Sequence, residues 1–193
     1  MNDPIALFRA WYTEARTAGL PMPEAMVLAT ATPDGKPAAR WVLLKGVDEH
    51  GRFQFFTNLE SRKAAELAVN PRAALALYWE PLHRQLRIEG TVEPIPDAEA
   101  DAYWHSRHRG SQISAFVSPQ SRPAPERATM EEKRVEAERH YEGREIPRPR
   151  HWGGYRLVPV TFEFWEGRED RFHERIVFER DDDGIWRESR LWP

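Results

Sequence analysis

Apolar positions recur at two intervals along this chain, and the switches between them mark out its elements. Near the start the spacing is helical. Asp3-Pro4 supplies a cap and a first-turn proline, Ile5, Phe8, Trp11, Tyr12 and Ala15 follow at helical intervals, and Gly19 ends the element. The pattern then alternates, predicting strands over Ala25–Thr32, from Pro37 to about Gly46, and over Phe53–Thr57. Turns are expected at Pro33-Asp34-Gly35-Lys36 and Asp48–Gly51. Ser61 caps a short helix that ends before Asn70-Pro71, and strands Ala73–Trp79 and His83–Thr91 follow, separated by Glu80-Pro81.

From Asp97 the period is helical again. Asp97–Ser106 and Ser111–Val117 read as helices, Ser118–Pro125 as a proline-rich loop, and Ala128–Tyr141 as a solvated helix charged almost all round. After a loop at Ile146–Pro149, alternation resumes over Gly154–Trp165, Arg171–Arg180 and Ile185–Leu191, with Asp181-Asp182-Asp183-Gly184 as the last hairpin turn. No internal repeat is visible. Seven or eight short strands broken by a few helices predict a mainly β, α+β chain: an antiparallel barrel with helices packed outside it, in a single domain over 1–193.

Composition narrows the possibilities. The 193 residues include 8 Trp and 9 Phe, enough to build a core. Apolar runs such as Ala25–Ala29 are far too short to cross a bilayer, and Met1-Asn2-Asp3-Pro4 does not look like an export signal. With no cysteine there are no disulfides and no thiolate chemistry, which fits a cytoplasmic protein. A net charge of -3 argues against a nucleic-acid binder, so any anion site must be a local gathering of positive charge.

Several such gatherings are present. Arg62 and Lys63 follow Ser61 in the first turn of a helix, where the dipole disfavours cations; they are either solvated surface residues or the walls of an anion site. On the expected strand from Arg171, the residues Arg171, His173 and Arg175 share one face, with Phe172 and Glu174 on the other; this is either an exposed polar edge or the lining of a pocket near Trp165. Arg40 and Lys45 flank an apolar strand and should diverge to opposite faces, serving two anions or merely protecting an edge. Tyr103, Arg107 and Ser111 form a donor set suited to phosphate, and Gln85 carries an amide able to read a heterocycle edge. His105 and His108 lack a third ligand at workable spacing, so no metal is expected, and no serine sits in a nucleophile elbow.

Taken in order, these pieces resemble the pyridoxine (pyridoxamine) 5′-phosphate oxidase family. The matching motifs are Arg40-Trp41-Val42-Leu43-Leu44-Lys45, Phe56-Thr57-Asn58, Ser61-Arg62-Lys63, Arg84-Gln85, Tyr103-Trp104-His105-Ser106-Arg107, Ser111-Gln112 and Ser118-Pro119-Gln120-Ser121. They continue through His151-Trp152-Gly153-Gly154-Tyr155-Arg156, Glu163-Phe164-Trp165, Arg171-Phe172-His173-Glu174-Arg175 and Arg190-Leu191-Trp192-Pro193.

The resemblance implies an FMN-binding split barrel and a homodimer holding FMN at the subunit interface. It places FMN contacts on Arg40, Trp41, Val42, Leu43, Leu44, Lys45, Phe56, Thr57, Arg62, Lys63, Gln85, Gln120, Ser121, Trp165 and Arg175. Substrate contacts fall on Lys45, Tyr103, Arg107, Ser111, Arg171, Phe172 and His173, with Arg171 and His173 at the reacting carbon. The implied reaction is oxidation of pyridoxamine or pyridoxine 5′-phosphate to pyridoxal 5′-phosphate, with dioxygen as acceptor and hydrogen peroxide released. Another split-barrel flavoprotein of the flavin reductase type, or a non-catalytic binder of FMN or pyridoxal phosphate, remains the alternative. The chain departs from the family pattern at Phe56, where a tyrosine is usual, and at Trp41, where a smaller apolar residue is usual. It also begins at its first helix, so an N-terminal arm closing over the substrate is not expected.

Overall fold

In the computed structural model, residues 3–124 and 126–193 are described; Met1 and Asn2 at the chain start and Pro125 of the proline-rich loop lie outside the described residues. Helix α1 (Pro4–Thr17) starts as its sequence dictates. The Asp3 carboxylate accepts from the Ile5 backbone N–H at 2.9 Å, and Pro4 fills a position that needs no donor. Its apolar stripe buries Phe8, Trp11 and Ala15 against the sheet.

Strands β1 (Ala25–Ala31), β2 (Pro37–Leu43), β3 (Gly46–Val47) and β4 (Phe53–Asn58) are followed by helix α2 (Arg62–Val69). Then come β5 (Arg72–Trp79) and β6 (Arg84–Pro94), and helices α3 (Asp97–Ser106), α4 (Arg109–Val117) and α5 (Arg127–His140). The chain closes with β7 (Trp152–Glu166), β8 (Glu174–Arg180) and β9 (Trp186–Arg190). All pairings among the described strands are antiparallel, in the order β2-β1-β5-β6-β7-β4-β3, with β8 and β9 continuing from β7. The expected α+β split barrel with peripheral helices is the fold observed.

β7 is the seam of this sheet. Along one edge it pairs with β6; along the other its first half, Trp152–Leu157, pairs with β4 and its second half, Thr161–Glu166, with β8. A bulge between Glu89 and Gly90 lets the long β6–β7 ribbon bend. Gly90 is required there, because a Cβ would lie 2.0 Å from the Val158 carbonyl oxygen. The concave face is filled by residues such as Met26, Leu28, Phe53, Phe55, Leu75 and Phe162. A second, smaller core lies between the sheet and the helices, where Trp104, Ile113, Ala137, Ile146 and Trp152 pack together with Phe56 and Tyr103.

One element differs from the sequence expectation in a way that matters for chemistry. The strand expected from Arg171 begins only at Glu174, because the β7–β8 pairing stops at the Glu166–Glu174 rung. Residues Glu169–Arg171 form a short 3-10 turn in which Asp170 and Arg171 take the left-handed conformation, φ 55° and 61°. Arg171, Phe172 and His173 therefore belong to a turn, and the alternating-face argument does not apply to them. The strand expected to run to about Gly46 is likewise interrupted after Leu43, leaving Lys45 between β2 and β3.

Candidate active site

A cavity of 760 Å³ opens between the β2–β4 end of the sheet and the α3–α4 corner. The sheet contributes Trp41, Val42, Leu43, Lys45, Phe56 and Thr57; α2 contributes Lys63; the helical segment contributes Tyr103, Arg107, Ser111 and Gln120. These eleven expected site residues thus converge on one space. Asn58 and Trp152 line it too. They stood in the family-like motifs without an assigned role, since only long-range packing reveals what they do.

The corner that presents Tyr103, Arg107 and Ser111 is fixed by main-chain caps. α3 stops at Ser106, and the Gln112 side-chain amide of α4 donates to the Trp104 carbonyl at 2.9 Å. Arg107 then turns inward. Its guanidinium carbon lies 5.2 Å from the ring centre of Trp104 and 4.8 Å from that of Trp152. Burial presses its pKa below the ordinary arginine value, yet its Nη1 has no hydrogen-bond partner among the described residues. A buried donor left unmatched on a cationic group is costly, and an anion in the cavity removes that cost.

At the N-terminus of α2 the two basic residues separate. Lys63 reaches into the cavity, where its Nζ donates to Gln120 Oε1 at 2.7 Å, to Thr57 Oγ1 at 3.1 Å and to Ser61 Oγ at 3.3 Å. Desolvation, with Arg40 nearby as a second cause, lowers its pKa. Arg62 instead folds back along the helix to Glu66, 2.8 Å away, and stays largely exposed. Arg40 also goes to Glu66, at 2.9 Å, and to Thr30. Arg40 and Lys45 diverge as the sequence suggested: one enters an internal ion pair, the other the cavity. Ser61 caps α2 through its backbone alone, its hydroxyl donating to the Asn58 carbonyl at 2.6 Å. Leu44 is buried in the core, and Ser121 sits in a left-handed turn, φ 69°, next to Gln120; neither lines the cavity.

The other expected residues lie elsewhere on the molecule. Gln85, Trp165 and Arg175 form a single rung across β6, β7 and β8, so their side chains share a face. That face is opposite the one where Leu86 and Phe164 are buried. Arg175 pairs with Glu163 at 2.7 Å. His173 packs on Trp165, ring centres 4.5 Å apart, and its Nδ1 accepts from the Arg168 backbone N–H at 3.2 Å. Phe172, His173 and Arg175 line a second cavity of 580 Å³ with the C-terminal residues, while Arg171 is exposed on the adjoining turn. Trp152 and Trp165 stand at opposite ends of β7. Twelve residues lie between them, thirteen steps or about 40 Å along the strand.

Comparison with known proteins gives this arrangement a family. A model described as pyridoxamine 5′-phosphate oxidase matches residues 12–141, and one described as the pyridoxine 5′-phosphate oxidase C-terminal dimerisation region matches residues 152–193. The chain belongs to the pyridoxine/pyridoxamine 5′-phosphate oxidase family. It is accordingly an enzyme of the oxidase class. Relatives carrying that name include one from Rubrobacter xylanophilus, 53% identical over 99% of this chain and 87% of the relative. Another, from Cupriavidus pinatubonensis, is 53% identical over 100% of this chain and 90% of its own length.

Among solved structures, PhzG from Burkholderia lata 383, in complex with tetrahydrophenazine-1-carboxylic acid, is 33% identical with a TM-score of 0.94, covering 100% of this chain and 94% of that one. A pyridoxamine 5′-phosphate oxidase-related, FMN-binding protein from Nostoc punctiforme shares the fold at 20% identity, TM-score 0.81, covering 99% of this chain and 98% of that one. No helix among the described residues is long and apolar enough to cross a membrane.

Proposed function

We propose that this oxidase converts pyridoxamine 5′-phosphate or pyridoxine 5′-phosphate to pyridoxal 5′-phosphate on FMN, with dioxygen as acceptor and hydrogen peroxide released. The observation that carries this reading is the buried, unpartnered Nη1 of Arg107, in a cavity shared with Lys45, Tyr103 and Ser111. Four donors, two of them cationic, suit a phosphate ester better than a neutral ligand.

The cavity also suits a flavin mononucleotide. A desolvated Lys63 beside Thr57 and Gln120 offers a phosphate subsite, and Trp41, Val42, Leu43 and Phe56 offer apolar walls. FMN, when bound, supplies the two-electron acceptor that the side chains of the chain lack. Trp41, Val42, Leu43, Lys45, Phe56, Thr57, Lys63 and Gln120 would hold it from one copy of the chain, and Arg40 and Arg62 would reach it only by leaving Glu66.

Gln85, Trp165 and Arg175 are some 40 Å of strand away (about 3.3 Å per residue) and reach the same cofactor only from a second copy. A homodimer therefore follows from this reading, and two other features favour it. The match to a dimerisation region covers the segment carrying Trp165, Arg171, His173 and Arg175. Both halves expose apolar surface, with Trp41 68% exposed on one and Phe172 equally so on the other.

In the assembled site, Lys45, Tyr103, Arg107 and Ser111 anchor the substrate phosphate. Arg171, Phe172 and His173 of the second copy then orient the carbon to be oxidised, where fixing geometry contributes much of the rate. With its Nδ1 accepting from the Arg168 backbone N–H, His173 carries its ring hydrogen on Nε2, which is left to donate to the substrate. Incubating the protein with FMN and pyridoxamine 5′-phosphate in air, and following aldehyde and peroxide together, tests the proposal. Bound flavin without either product would point to a reductase, and ligand binding with no redox activity to a carrier. The likeness to PhzG supplies a further comparison substrate, a reduced phenazine carboxylic acid, whose preferential turnover would count against the phosphate reading.

A further inference from the structure

We infer that Trp152 is a positioning residue for phosphate recognition, the platform on which Arg107 is set in place; the inference rests on the proposal that Arg107 receives the substrate phosphate. Three candidate ligand residues lean on this one ring. Phe56 lies parallel to it, 4° between planes and 5.3 Å between centres, and Tyr103 lies parallel to Phe56 at 4.1 Å. The Arg107 guanidinium sits over it at 4.8 Å.

Trp152 is itself firmly held, being 4% exposed. The edge-on ring of Trp104 is 4.9 Å away, and the Trp104 indole N–H donates to the Ile146 carbonyl at 2.8 Å. The Trp152 carbonyl accepts from Arg148 Nη1 at 2.7 Å, and Arg148 is ion-paired to Asp97 and Asp101 of α3. On the sheet side, Gly154 keeps Phe56 free to lie flat, since a Cβ there would meet the Phe56 ring at 2.8 Å.

What the platform achieves is seen by comparing arginines. Arg40 is held by Glu66, Arg175 by Glu163 and Arg148 by two aspartates; each carboxylate fixes its guanidinium but also uses its donors and cancels its charge. Arg107 has no carboxylate partner among the described residues and lies against two indole rings instead. The cation–π contacts with Trp152 and Trp104 hold the guanidinium in place without using its N–H donors or neutralising its charge, so both remain for a ligand. Trp152 thus replaces the carboxylate that would otherwise compete with phosphate.

A double-mutant cycle on the FMN-loaded protein tests this. Binding of pyridoxal 5′-phosphate and of pyridoxal is measured for Trp152→Leu, Trp152→Phe, Arg107→Ala and the paired variants, alongside KM and kcat for pyridoxamine 5′-phosphate. Trp152→Leu is expected to weaken pyridoxal 5′-phosphate binding about tenfold and Trp152→Phe about threefold, the indole being the stronger cation platform. In the Arg107→Ala background the same changes are expected to cost less than about twofold, because the interaction they remove is already gone. Pyridoxal binding should be insensitive to both, and KM should rise more than kcat falls.

Equal losses in the two backgrounds, or equal losses for pyridoxal, overturn the role given to Trp152. A parent protein that binds pyridoxal as tightly as its phosphate ester overturns the phosphate reading itself, and this inference with it. Should Trp152→Leu fail to fold, Trp152→Phe keeps an apolar ring in the packed layer and carries the cycle.

Discussion

Replacing Glu66 by alanine should loosen the sheet edge beside the proposed cofactor site, by an amount the geometry allows to be worked out. Glu66 Oε2 accepts from Thr30 at 2.5 Å and from Arg40 at 2.9 Å, and its Oε1 accepts from Arg62 at 2.8 Å, so one carboxylate ties β1, β2 and α2 together. The Arg62 side chain is 67% exposed, and its bond contributes at most about 0.5 kcal/mol. The other two bonds matter more, because the side chains of Glu66 and Arg40 are only 6% and 19% exposed. Removing one member of a buried pair costs about 3–5 kcal/mol, and the residual access of water to Arg40 favours the lower end, about 3 kcal/mol.

For a chain of this size that corresponds to a Tm lower by about 6–12 °C. Glu66→Gln keeps the shape and some of the hydrogen bonding and should lose about half as much. The hydrogen bond from Thr30 first, then those from Arg62 and Arg40, hold the Glu66 carboxyl below its ordinary pKa. A lowered folded-state pKa means the carboxylate contributes stability above its unfolded-state value, and that contribution is lost as pH falls through the folded value. Urea unfolding of the FMN-free protein at about pH 7, and then at successively lower pH, should show the parent and Glu66→Ala converging in acid. A Glu66→Ala protein within about 1 kcal/mol of the parent at neutral pH, or a difference that ignores pH, refutes the reasoning.

Other substitutions separate the two halves of the proposed site. Lys63→Ala should weaken FMN binding by about 10- to 150-fold, the loss of one charge-assisted contact, read from flavin fluorescence on titration. Arg171→Leu should lower turnover about a hundredfold while bound flavin stays near the parent level; equal loss of both defeats its assignment to the substrate. Gly154→Ala should destabilise the protein by about 1–3 kcal/mol in urea, because the new methyl would lie 2.6 Å from the Phe55 carbonyl oxygen.

Much of the fold is written locally and was legible. The Asp3-Pro4 helix start, the Pro33–Lys36 turn with Gly35 at φ 83°, and the bounds of α3 at Asp97–Ser106 all depend on neighbours in sequence. The cavity-facing roles of Lys45, Lys63, Tyr103, Arg107 and Ser111 were legible through cationic and hydroxyl donors at suggestive spacing and through the family likeness. What escaped was non-local. Alternating polar residues at Arg171, His173 and Arg175 look like a strand, but two non-glycine residues in left-handed geometry turn the first part into a loop. The ion pairs of Arg40 and Arg62 are not legible in their own motifs, because Glu66, which engages both, is 26 positions from Arg40. Trp152 gave no signal of its own, as its role exists only once β7 packs against α3.

Each active site is proposed to draw on two copies of the chain, and complementation between damaged copies puts that arrangement to the test. Arg107→Ala and Arg171→Leu chains carrying different affinity tags are co-expressed, mixed dimers are isolated through both tags, and oxidation of pyridoxamine 5′-phosphate is assayed below KM. In such a dimer one site collects both lesions and the other none, so activity should recover to about half that of the parent dimer. Mixed dimers no more active than the two single variants would contradict a shared site.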